Sequence, residues 1–259
     1  YVSRPPFTEA EAVRRAIYLA GQTDTPLYIA HMTCREAIAE LQKAKGTGQR
    51  VSGETCTHYL TTTKEVLDNS DFNEAAKFVC SPALRDQEDC EALWQALAGG
   101  LLTAVSSDHC GIDVAELKQA GRDDFTQIPN GSPGAGDRLH MVWTEGVCTG
   151  KLSRQKFVDV IATQPAKING IYPRKGTLAV GSDADIVIFD PSYEGVIRLA
   201  DNPNGVDYNL YEGRRQSGRV ETVLLRGQVV VENAKFVGRY GQGQFIPASM
   251  YASGYENRN

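Results

Sequence analysis

The feature that most limits what this chain can become is an apolar run, Gly100-Leu101-Leu102-Thr103-Ala104-Val105, which stops at Ser106-Ser107 and then presents Asp108 and His109. Such a run reads as a buried strand. A buried strand that ends on charge is how β/α barrels bring chemistry to the C-terminal mouth of their strands. Pro26-Leu27-Tyr28-Ile29-Ala30 ends the same way, at His31. Two more strand-like runs lie between, Arg50-Val51-Ser52-Gly53-Glu54 and Lys77-Phe78-Val79-Cys80, so strand ends fall near 31, 54, 80 and 107. That interval suits βα units, of which a whole barrel takes ~250 residues. Four units predict half a barrel, an α/β fold, within residues 1–175.

Between the strands, capping boxes at Thr8-Glu9-Ala10-Glu11 and Thr33-Cys34-Arg35-Glu36 predict helices from Thr8 to Gly21 and over residues 35–45. A further helix is predicted over residues 87–97. Residues 111–135 carry Gly121, Pro129, Gly131, Pro133 and Gly134 and read as a binding loop or lid. Helices resume over residues 137–146 and 153–163, the second with Ser153 as its cap. From Gly176 the hydrophobic period changes to two. Strands over residues 177–180, 185–189, 195–199 and 220–231, with a tight turn at Leu225-Arg226-Gly227-Gln228, predict a small β domain over 176–245. Residues 246–259 are expected to form an extended arm.

Composition narrows the partners. A net charge of −5 gives no reason to expect nucleic acid or an anionic membrane surface, and no apolar run approaches the roughly 20 residues of a membrane span. The six cysteines form no C-x-x-C pair, which points to free thiols in a reducing compartment and to the cytoplasm. Tyr1-Val2-Ser3-Arg4-Pro5-Pro6 has no initiator Met and runs straight into a helix, so the chain is expected to be part of a longer polypeptide.

An imidazole and a carboxylate at strand ends are ligands for hard or borderline metals and point to metal-assisted hydrolysis. The plainer alternatives are a satisfied strand-end histidine for His31 and a turn cap for Asp108. His109 is expected to orient its neighbour Asp108. His58, in Thr57-His58-Tyr59, ends another strand and is assigned a supporting or surface role; His140 lies inside a helix and reads as structural. Ser81 precedes Pro82 and has no evident His-Asp relay, so it is expected to offer main-chain groups to a ligand and not to act as a nucleophile. The glycine-rich stretch 130–136 lacks the strand–loop–helix context of a phosphate cradle.

Taken in order, Ile29-Ala30-His31-Met32-Thr33, Gly53-Glu54-Thr55-Cys56, Cys80-Ser81-Pro82-Ala83-Leu84-Arg85, Ser107-Asp108-His109-Cys110 and Asn130-Gly131-Ser132-Pro133-Gly134 resemble the dihydropyrimidinase/hydantoinase family of cyclic amidohydrolases. Tyr172-Pro173-Arg174-Lys175-Gly176 is similar to the same branch, and Gly176-Thr177-Leu178-Ala179-Val180-Gly181-Ser182-Asp183-Ala184-Asp185 resembles the signature of the wider amidohydrolase superfamily, where it belongs to the small β domain. The resemblance implies the C-terminal half of a (β/α)8 barrel followed by a small β-sandwich. It implies two divalent metals, usually zinc, bridged by hydroxide and by a carboxylated lysine that is absent from this sequence. It makes His31 a ligand of one metal, and Asp108 a ligand of the other and the proton shuttle. Ser81 and Asn130 would hold a cyclic ureide substrate.

The His-x-His pair, the carboxylated lysine, a further histidine and a substrate-binding tyrosine would come from a missing N-terminal part of the same polypeptide, in a homotetramer. The family usually has Pro-Gln-Tyr where this chain has Thr57-His58-Tyr59, and allantoinases often carry His-Tyr there. The alternatives are therefore an allantoinase or dihydroorotase activity, or a non-catalytic scaffold resembling the collapsin response mediator proteins.

Overall fold

The computed structural model describes residues 1–249; residues 250–259, most of the expected arm, lie outside the described residues. The first helix, α1 (Pro6–Gln22), starts before Thr8. Proline suits the first helical position, where its missing N–H costs nothing. The expected capping box does not form: Thr8 Oγ1 donates back to the Pro5 carbonyl at 2.8 Å, and Glu11 pairs with Arg15. β1 (Leu27–Ile29) leads to α2 (Arg35–Gly46), which buries Ala37, Ile38, Leu41 and Ala44 as its period predicts. Its second capping box is also unused, because Thr33 has been taken by tertiary partners described below.

β2 (Val51–Cys56) pairs in parallel with β1, Leu27 opposite Val51 and Ile29 opposite Gly53. At Gly53 a Cβ would come within 2.6 Å of Met32 Sδ and 3.1 Å of Leu41 Cδ2, so only glycine lets α2 sit this close to the sheet. The short helices α3 (Thr57–Thr61) and α4 (Phe72–Ala76) follow, then α5 (Gln87–Ala98) and β3 (Ala104–Ser106). β3 pairs directly with β2, Glu54 opposite Ala104 and Cys56 opposite Ser106.

The expected strand over residues 77–80 is therefore corrected: the described parallel sheet has three strands in the order β1-β2-β3. The reason lies in its backbone groups. The Lys77 carbonyl accepts Ser132 Oγ, and the Val79 carbonyl accepts the Gly131 N–H, so this segment bonds to the long loop and not to a sheet neighbour. The core of this layer joins Val13 and Ile17 of α1, Ala37 and Leu41 of α2, and Leu93 and Leu97 of α5 with Val51 and Val105.

Beyond α6 (Arg138–Val142) and α7 (Arg154–Val158), the latter capped by Ser153 Oγ accepting from the Lys156 N–H, the chain enters an antiparallel sheet. Its strands are β4 (Ile186–Val196), β5 (Arg215–Leu225), β6 (Gln228–Glu232) and β7 (Lys235–Phe236), in sequential order. Arg226 and Gly227 both take left-handed φ, 48° and 78°, and make the predicted two-residue hairpin. Residues 177–180 are not a strand. Lys175 there pairs with Asp183 at 2.9 Å and also with Asp185, holding the stretch as a loop. The antiparallel strands of the described residues form this one four-stranded sheet. It is locked to the helical layer by Thr144, whose hydroxyl accepts from the Ser217 N–H at 3.0 Å, and by Phe189 against Trp143, ring centroids 4.7 Å apart. No helix among the described residues is long and apolar enough to cross a membrane.

Candidate active site

Two strand ends define the site. His31 lies two residues beyond β1 at φ 43°, and Asp108 two residues beyond β3 at φ 45°. A left-handed backbone costs a residue other than glycine about 1–3 kcal/mol, and such strain gathers at functional sites. Beside His31 the turn is fixed by the Met32 N–H, which donates to the Glu54 carbonyl at 2.8 Å.

Cys56 Sγ, a ring nitrogen of His58 and a carboxylate oxygen of Asp108 all lie within 4.8 Å of one another. β2 and the first turn of α3 supply the cysteine and the histidine; the end of β3 supplies the aspartate. His58 is 4 % exposed, and its Nε2 finds no hydrogen-bond partner. Burial, helped by the charge of nearby His31, lowers its pKa to about 4, so the ring is neutral and carries a free lone pair at neutral pH. Burial pushes the Cys56 thiol well above its ordinary value; its sulfur lies 3.2 Å from Ser106 Oγ. A buried neutral imidazole grouped with a carboxylate and a cysteine sulfur is a donor set suited to a borderline divalent metal. These residues fit a metal centre.

The structure thus brings Asp108 together with His58, which the sequence placed in a supporting role, and with Cys56, which it did not single out. His31 is outside that trio. It lines a neighbouring cavity of about 450 Å³ together with Ser81, Tyr28 and Arg4. Asn130 is exposed and borders an adjoining cavity of about 970 Å³, in which Arg4 also takes part; its Oδ1 accepts from Arg4 Nη1 at 3.0 Å. His109 Nδ1 accepts from the Gly134 N–H at 3.2 Å and the Ala135 N–H at 3.4 Å, so the imidazole beside Asp108 holds the glycine-rich loop. His140 is structural in its contacts: its Nε2 accepts from the Val220 N–H of β5 at 3.4 Å.

Behind His31 stands a buried polar network. Glu9 accepts from the Thr33 N–H at 2.8 Å and from the Thr33 hydroxyl. Arg85 donates to Thr33 Oγ1 at 2.9 Å, to Glu9 at 3.1 Å and to the Arg4 carbonyl at 2.6 Å. Its members lie far apart in the chain, and nothing in the local sequence pattern announces it.

Residues 26–230 match the amidohydrolase family. The chain is 48 % identical over 250 residues to the D-hydantoinase of Ralstonia pickettii, covering 96 % of this chain and 54 % of that protein. It is 40 % identical to the dihydropyrimidinase of Rattus norvegicus, covering 96 % of this chain and 48 % of the relative. The solved dihydropyrimidinase from Brevibacillus agri NCHU1002 superposes with a TM-score of 0.95 at 44 % identity, covering 97 % of this chain and 54 % of that one. The chain spans about half the length of the curated relatives it matches. With the family match over residues 26–230 and a relative 48 % identical across 96 % of its own length, this chain belongs to the amidohydrolase family.

Proposed function

We propose that the full-length protein hydrolyses the cyclic amide bond of a hydantoin or dihydropyrimidine, opening the ring to an N-carbamoyl amino acid. The observation that carries this reading is Asp108, a carboxylate held at the mouth of a parallel strand within 4.8 Å of a ring nitrogen of the buried His58. Similarity to D-hydantoinases and dihydropyrimidinases supports the substrate class. Asp108 takes a proton from the attacking water and delivers it to the ring nitrogen that leaves. The ring C–N bond breaks, and the water oxygen ends on the carbonyl carbon.

His31 and Asp108 are proposed metal ligands, with His58 and Cys56 close enough to Asp108 to join it. Divalent metals, zinc by family resemblance, supply polarisation of the ring carbonyl and acidification of water when bound. A carboxylated lysine and the remaining ligands would come from residues outside this chain. Main-chain groups of Ser81 and Asn130 hold the ureide, and His109 steadies the loop that follows Asn130.

In the same reading residues 1–175 are the C-terminal half of a (β/α)8 barrel, residues 176–245 belong to a small β-sandwich, and the protein is a cytoplasmic homotetramer. The test is product analysis with the full-length protein. N-carbamoyl product from hydantoin or dihydrouracil is expected. Opening of allantoin or dihydroorotate alone would move the substrate within the class, and no ring opening would favour a scaffold.

A further inference from the structure

Lys118 is 0 % exposed, although it sits in the long polar loop between β3 and α6. Its ammonium donates to three main-chain carbonyls: Ala76 at 2.7 Å, Gly131 at 2.7 Å and Val79 at 3.3 Å. Burying an ammonium is costly unless its N–H groups are satisfied, and three acceptors match its three donors. Burial also lowers the Lys118 pKa to about 8. The Tyr208 ring covers it, centroid 5.9 Å away.

The three acceptors come from two segments. Val79 stands two residues before Ser81, and Gly131 directly follows Asn130. The segments also bond to each other, the Gly131 N–H donating to the Val79 carbonyl at 3.0 Å and Ser132 Oγ to the Lys77 carbonyl at 2.9 Å. Gly131 has φ 147°, and a Cβ there would meet Cys110 at 2.8 Å, so the close approach depends on glycine. The Val79 carbonyl thus receives both the Gly131 N–H and the lysine.

We propose that Lys118 is a positioning residue for substrate: its ammonium clamps the Ser81 segment to the Asn130 loop and so fixes the spacing of the main-chain groups that hold a cyclic ureide. The inference rests on the function proposed above. Misplacing binding groups by about 1 Å can cost ~100-fold, so a loosened clamp shows in substrate affinity before it shows in the proton-transfer step.

The experiment uses the full-length, metal-loaded protein. Lys118→Gln keeps two donors on a shorter side chain. It is expected to raise KM for hydantoin about tenfold or more, with kcat within about threefold and metal content unchanged. Phe157→Leu, a core substitution against Trp143, serves as the stability control and is expected to lower Tm while leaving KM unchanged. If Lys118→Gln does not fold, Lys118→Met, of similar length and without donors, is read the same way.

Hydrogen exchange of peptides spanning residues 77–83 and 128–133 is followed in parallel and is expected to quicken about tenfold in the Lys118 variant alone. Exchange equal to wild type overturns the clamp, whatever the protein hydrolyses. Faster exchange with unchanged KM overturns the positioning role. A wild type that opens no cyclic ureide overturns the parent function and the ureide role with it, and exchange alone then decides whether the clamp exists.

Discussion

The Glu9 carboxylate on the first turn of α1 lies 3.1 Å from the Arg85 guanidinium, with side chains only 10 % and 5 % exposed. Through Thr33 and the Arg4 carbonyl this pair ties the residues flanking His31, the approach to Ser81 and the lining of both cavities into one unit. Removing one partner of a buried ion pair strands the other charge, at a cost of about 3–5 kcal/mol. Arg85→Met is therefore expected to lower unfolding free energy by roughly that amount. Urea melts check this; a change below about 1 kcal/mol, the scale of a surface pair, would show that the network carries no such weight.

Asp108→Asn keeps the size of the side chain and removes its capacity to take a proton. A positioned general acid–base group contributes about 10²–10⁴-fold, so kcat for hydantoin opening should fall within that range. Steady-state kinetics with metal content measured on the same sample decide it. Full activity with metal still bound would remove Asp108 from the proton path.

His140 gives a pH dependence separate from the metal site. Burial lowers its pKa below the ordinary histidine value, so the folded state favours the neutral ring. The unfolded chain then binds more protons, and stability from this group is full above a pH of about 6.5 and is lost as pH falls below it. His140→Gln removes the titration and keeps an acceptor for the Val220 N–H. The loss of unfolding free energy between pH 7.5 and 5.5 is expected to be smaller in the variant; an equal loss in both proteins would contradict the account.

What the sequence made legible follows from locality. The runs ending at His31 and Asp108 stood out because a buried parallel strand is continuously apolar and its exit is polar. The helix face of α2 and the Arg226-Gly227 hairpin were legible for similar reasons, whereas α1 turns Val13 and Ile17 inward and leaves Leu19 exposed. Residues 77–80 look like a strand by composition, but their carbonyls bond to Gly131 and Ser132, more than fifty positions away. Thr33 carries a capping pattern, yet Glu9 and Arg85 claim its hydroxyl. Cys56 and His58 meet Asp108 only because β2 and β3 are neighbours, and Lys118 in a polar loop gives no local sign that it is buried. Pattern finds the elements; it does not find partners supplied by distant loops.

His31→Ala tests the neighbouring strand end. The variant should bind less metal than wild type and turn over hydantoin more slowly, with the fold retained because His31 is not a core residue. Plasma mass spectrometry and circular dichroism on the same preparation separate the two effects. Unchanged metal content and activity would leave His31 as a satisfied strand-end histidine.

The most direct measurement is hydantoin hydrolysis by the full-length protein after chelation, titrated with zinc. The account predicts no ring opening in the stripped protein and a rate that rises with added metal, saturating at about two zinc ions per protomer. No ring opening at any metal loading, in protein shown to be folded, would contradict it.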